Sequence, residues 1–80
     1  MNIYPNPAQH DFTLKISGSA DAAAHYIIYN AFGKILAEKN ISITEGITLQ
    51  QVDVSNLETG LYLFQLFTKE NTFSKVFMQN

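Results

Sequence analysis

Apolar and polar residues alternate along much of this chain. Phe12, Leu14 and Ile16 are separated by Thr13 and Lys15, the period of two expected of a half-buried strand, and Gly18 with Ser19 ends the run. From Tyr26 to Tyr29 the residues are aromatic or β-branched; Asn30, Ala31, Phe32 and Gly33 then supply a turn before Lys34, Ile35 and Leu36 resume, which predicts a hairpin. Ile41 and Ile43 alternate with Ser42 and Thr44, Gly46 breaks the run, and Val52 with Val54 marks another strand. Further on, Tyr62, Phe64 and Leu66 share one face while Leu61, Leu63 and Phe67 share the other. An apolar run on both faces predicts a central strand covered on two sides. Lys69 to Asn71 turns the chain, and Phe73 to Met78 forms the last strand.

A helix competes in one place. Ala24, Ile28, Ala31 and Ile35 fall on a helical stripe behind a run of alanines, but the interior Gly33 and the β-branched cluster favour strands. At the N-terminus, Pro5 and Pro7 fix φ and remove two backbone donors, so Tyr4 to Pro7 reads as a stiff entry and not as helix interior or central strand. About seven short strands at close spacing predict a small, all-β, immunoglobulin-like antiparallel β-sandwich.

The stretch from Asp53 to Phe64, DVSNLETGLYLF, crowds turn devices against one strand. Ser55 and Glu58 match a capping box, which predicts one short helical turn over Asn56 to Thr59. Gly60 is placed to close that turn with positive φ, Asp53 to accept backbone donors, and Leu57 to point back as an apolar plug. These devices specify a rigid corner and no reaction.

Composition adds bounds. The 80 residues allow one domain, 1–80, with one core. There is no cysteine, so no disulfide staples that core, and 46% hydrophobic residues must supply the stability. The net charge of −2, with five lysines and no arginine, argues against nucleic acid. No apolar run approaches the ~20 residues of a membrane span, which argues against direct membrane insertion, and MNIYPNPAQHDF lacks the basic start and apolar stretch of a signal peptide.

Catalytic chemistry finds no foothold. His10 and His25 stand alone without metal-ligand spacing, the seven acidic residues are scattered singly, and no nucleophile elbow, phosphate loop or calcium loop is present. The expectation is a non-enzyme without cofactor or metal.

Several of these residues recur in a known order. Tyr4-Pro5-Asn6-Pro7, Phe12-x-Leu14-x-Ile16, Ile28-Tyr29-Asn30-x-x-Gly33-Lys34, Asp53-Val54-Ser55-x-Leu57-x-x-Gly60-x-Tyr62 and Lys75-Val76 together resemble the C-terminal sorting domain of the type IX secretion system of Gram-negative bacteria, over nearly the whole chain. Asn30 departs from the Asp usual after that Tyr, and makes similar turn hydrogen bonds. The resemblance implies a domain cut from the far C-terminus of a larger exported protein, with cargo fused at its N-terminus. It also implies handling by the type IX translocon and by a sortase-like peptidase, and a destination at the cell surface or outside the cell. On that reading Lys75, Val76, Phe77 and Met78 form the recognition surface, with an exposed sheet edge near the C-terminus open to strand pairing. Pro5, Asn6, Pro7, Gly33, Asp53, Leu57, Gly60 and Tyr62 keep the fold in shape beneath it. A carbohydrate-binding or adhesion module is the alternative, weakened by the absence of tryptophan.

Overall fold

A computed structural model describes all 80 residues and contains only strands: β1 (Asn2–Tyr4), β2 (Asp11–Gly18), β3 (Ala22–Tyr29), β4 (Ile35–Ile43), β5 (Gly46–Asp53), β6 (Gly60–Thr68) and β7 (Thr72–Gln79). They form a three-stranded sheet, β1-β2-β5, and a four-stranded sheet, β4-β3-β6-β7, with every strand pair antiparallel. Each sheet buries one face against the other, so inward and outward residues alternate along the strands. The sheets exchange strands at β2 to β3, β4 to β5 and β5 to β6, the crossing pattern of an immunoglobulin-like sandwich.

Alternation explains the core. Phe12, Leu14 and Ile16 of β2 are buried, and so are Tyr62, Phe64 and Leu66 of β6 and Ala24, Tyr26 and Ile28 of β3. Phe12 sits at the centre, its ring edge-on to Phe64 with centroids 5.5 Å apart and tilted against Phe77 at 5.0 Å. Aromatic pairs of this geometry add about 0.5–1.5 kcal/mol each to the burial of their area. A cysteine-free domain of this size depends on such packing.

The β3–β4 hairpin forms where the turn residues predicted it. Asn30 Oδ1 accepts the N–H groups of Phe32 at 2.9 Å and Lys34 at 3.0 Å, and Gly33 takes φ of 85°, a left-handed value that disfavours other residues. The helical alternative for this stretch is thereby excluded. Two other expectations need correction. Ile35 to Leu36 and Ile41 to Ile43 belong to one strand, β4, carried through Ala37 to Asn40 by its pairing with β3, with a register shift opposite Ile28 and Tyr29, while Lys34 stays in the turn. The seventh strand is instead β1, a three-residue edge strand that stops at Pro5, consistent with the rule that proline confines pairing to edges.

The capping box does not form. Ser55 turns its N–H (2.9 Å) and its Oγ–H (2.7 Å) to Asp53 Oδ1 instead, and the corner is an Asx turn followed by a single Leu57 N–H to Val54 carbonyl bond of 3.0 Å. Asp53 lies closer in sequence to Ser55 than Glu58 does and captures it first. Leu57 packs against the core as the expected plug. Gly60 has the expected positive φ, but at 157° it is nearly extended and follows no helical turn.

After β1, the peptide bonds before Pro5 and Pro7 are cis, and the chain crosses from the edge of one sheet to the edge of the other. There Ala8 pairs in parallel with Gln79 of β7. The N- and C-terminal ends of the domain are thus stitched together at one corner.

Candidate recognition surface

The inward row of β6 is core; its outward row is not covered. Leu61 is 54% exposed, while Leu63, Gln65 and Phe67 are half-buried by neighbours on the same face. The expectation of cover on both sides of β6 is therefore wrong for this chain. Its outward apolar residues line up with those of the other three strands, because the register pairs Ile35 with Tyr29, Tyr29 with Leu63, and Leu63 with Val76. One apolar row thus crosses the whole four-stranded sheet, about 14 Å at ~4.8 Å per strand spacing. Leu61 and Met78 pair in the adjacent row.

Ile35, Val76 and Met78 are 48%, 56% and 38% exposed, so the row is open to solvent. A shallow depression between Tyr29, Ala31, Gly33, Leu61, Leu63 and Val76 lies along it. At the β3–β4 tip beside it, Phe32 is 96% exposed. Isolated exposed apolar side chains are ordinary, whereas a contiguous set is a candidate interaction surface.

Of the residues singled out in the last strand, Val76 and Met78 stand on this face. Lys75 is exposed but points to the opposite side of β7, in the row of Phe77 and Gln79. Phe77 is wholly buried, stacked on Tyr62 with centroids 5.6 Å apart, and does not belong to any surface a partner touches. Strand alternation imposes this split: four consecutive residues of a strand cannot share a face. Sequence reasoning missed Tyr29, Ile35, Leu61 and Leu63 as members of the surface, since only the register between strands brings them together.

The outer edge of β7 is half occupied. Met78 donates its N–H to Asn6 Oδ1 at 3.0 Å and accepts the Ala8 N–H at 2.8 Å, and Asn80 donates to the Ala8 carbonyl at 2.9 Å. The backbone groups of Thr72, Ser74 and Val76, which share that outward direction by alternation, remain open to strand pairing. Asn6, expected as a structural residue, is thus a side-chain acceptor that caps an edge-strand donor.

The corner beneath is held by Tyr62, whose hydroxyl donates to the Glu58 carbonyl at 2.6 Å, and by Gln79. Gln79 is buried and donates Nε2 to the carbonyls of Val54 and Gln9, leaving its Oε1 without a partner. Burial raises the Tyr26 hydroxyl pKa. The Asp53 carboxyl is lowered by the Ser55 hydroxyl hydrogen bond, then by the Ser55 N–H, with a smaller contribution from the charge of His10. His25 bonds Asn40 at 3.0 Å across β3 and β4. No three His, Asp or Glu side chains converge in a metal-holding group.

No curated protein and no solved structure matches this chain. The model of one family, described as the secretion system C-terminal sorting domain, matches residues 2–79. That span holds all seven strands and the apolar row, so the chain belongs to the secretion system C-terminal sorting domain family and carries a sorting signal for type IX secretion through the outer membrane.

Proposed function

We propose that this domain is a folded address label, read by the type IX translocon through the outer face of its four-stranded sheet, and that it catalyses nothing itself. The family match over residues 2–79 carries the sorting role. The apolar row Ile35, Tyr29, Leu63 and Val76, with Leu61 and Met78 beside it, supports the choice of face. The row contains no charge, so its partner presents an apolar surface and contact is driven by release of water. In the same reading a cargo protein is fused ahead of the domain. A sortase-like peptidase removes the domain after passage and leaves the cargo on the cell surface.

The test is export of a reporter fused ahead of residues 1–80 in a host with this secretion system. Val76→Lys with Met78→Lys places charge on the face without touching the core, and the expected result is loss of export with an unchanged melting transition. Export at the parental level from a folded double variant overturns the assignment of the face. Failure of the unsubstituted fusion to leave the cell overturns the sorting role itself.

A further inference from the structure

Sheet edges are templates for pairing, and stable proteins guard them. Three of the four edges here are guarded. β1 is only three residues long and ends at Pro5. β4 carries Glu38 and Lys39 in mid-strand and a register shift near its start. The β7 edge is clasped at Met78 and Asn80 by Asn6 and Ala8.

The β5 edge has none of these devices. It pairs with β2 through eight consecutive partners without a shift, and from Gly46 to Val52 it contains no charge and no proline. Just past the strand, Val54 donates to the His10 carbonyl at 2.9 Å, so the alternate residues Val52, Gln50 and Thr48 also direct their backbone groups toward β2. Ile47, Leu49, Gln51 and Asp53 direct theirs away from β2, where the Gln51 carbonyl accepts the Gln50 Nε2–H at 2.9 Å, a side-chain contact that an incoming strand would displace. Ile47 and Leu49 also expose their side chains on the outer face, at 61% and 62%.

On the inner side the four-stranded sheet overhangs this edge. Ala37 and Lys39 share the inward row of β4 with buried Ile41, since their partners Ile28 and Tyr26 face the core, yet both are exposed. The smaller sheet stops one strand short of covering them.

We infer that the β5 edge is an acceptor for one extended strand donated by another polypeptide. Its backbone would complete the ladder at Ile47, Leu49 and Gln51, with apolar side chains over Ile47 and Leu49 and an acidic side chain toward Lys39. The chemistry of each side selects this occupant: open backbone groups along a sheet edge demand an extended backbone, the outer row is apolar at Ile47 and Leu49, and Lys39 is the one charge on the inward row of β4. A second folded copy fits less well, because its own overlying sheet would meet the overhanging β4. One strand also buries less than the roughly 1,200–2,000 Å² of a stable interface, which suits a transient handling step. The inference is independent of the face proposed for sorting, and the export assay does not decide it.

The experiment is amide hydrogen exchange on the 80-residue chain with two blocked peptides as long as β5, both alternating valine and threonine, one with a central glutamate and one with a central lysine. Without peptide, Ile47, Leu49 and Gln51 exchange faster than Thr48, Gln50 and Val52. With the glutamate peptide that alternate set becomes protected, and the lysine peptide binds about tenfold more weakly, equivalent to about 1.4 kcal/mol. Leu49→Lys, a guard charge outside the core, abolishes the protection. Protection at Ser74 and Val76 instead, protection that grows with protein concentration alone, binding unaffected by Leu49→Lys, or no protection with either peptide overturns the inference.

Discussion

The hydroxyl of Tyr62 reaches back four residues to donate to the carbonyl of Glu58 at 2.6 Å. The bond ties the start of β6 to the corner that delivers it, in the manner of the tyrosine corner of immunoglobulin-like sandwiches. Tyr62→Phe keeps the ring stacked on Phe77 and removes only the donor, leaving a partly buried carbonyl short of a partner. A loss of about 1–1.5 kcal/mol is expected in a denaturant titration, with an unchanged slope because the exposed area on unfolding is the same.

Asp53 predicts the behaviour in acid. Ser55 lowers its pKa in the folded state, so the carboxylate contributes stability that is present above the unfolded value near ~4 and is lost as pH falls through the lowered folded value. Asp53→Asn should flatten the acid limb of the stability-against-pH curve, and Ser55→Ala should move it the same way by a smaller amount. Melting transitions measured from neutral pH downward check both. Steeper acid destabilisation in Asp53→Asn than in the parent would contradict the assignment.

Much of the fold could be read from side-chain periodicity, and what escaped has physical causes. Phe12, Leu14, Ile16, Tyr62, Phe64 and Leu66 are core because alternation encodes burial directly. β1 is not legible because three residues with one buried side chain, Ile3, make no periodic pattern, and the middle of β4 is not because Ala37 to Asn40 all face solvent while pairing with β3 holds them in place. The expected helical turn after Ser55 does not form because Asp53, and not Glu58, accepts the Ser55 N–H. On the surface, Val76 and Met78 could be found from their place in an apolar C-terminal strand, whereas Phe77 between them is core by parity. The apolar outer row of β6 suggested cover. A local pattern cannot distinguish a face buried by its own chain from one left open for another molecule.

Parity also separates folding from recognition in β7. Phe77→Ala opens a cavity between Phe12 and Tyr62 and should cost about 3–5 kcal/mol, a large share of the 5–15 kcal/mol typical of a whole domain. Val76→Ala trims an exposed side chain and should fall within about 0.5 kcal/mol of the parent. Comparable losses at the two positions in thermal unfolding would show that the outer face is covered after all.

Asn6 guards the edge of β7 through a single acceptor. With Asn6→Ala the Met78 N–H turns to water, at a cost of about 0.5–1.5 kcal/mol. The sharper readout is local: amide exchange at Met78 should accelerate, while Asn80 stays protected by the Ala8 carbonyl. Equal acceleration at both would mean that Asn6 holds the whole N-terminal segment in place.

Gln79 is the most demanding position in the clasp. Its amide nitrogen faces the carbonyls of Val54 and Gln9, and its Oε1 is buried without a donor. Gln79→Met relieves that oxygen but strands two acceptors, so a net loss of about 1–3 kcal/mol is expected. Gln79→Glu is nearly isosteric and reveals the polarity of the site, because a carboxylate there would face two carbonyl oxygens with no cation to offset it. Its folded pKa must rise above the unfolded value near ~4.3, so the folded state binds the extra proton. The variant should therefore be destabilised by about 3–5 kcal/mol at neutral pH, recovering as pH falls through the raised folded value, where a protonated carboxyl can donate to the Val54 carbonyl. Thermal unfolding of Gln79→Glu against the parent between pH ~4 and ~7 measures this; a difference that stays flat across the range would mean that water reaches the site.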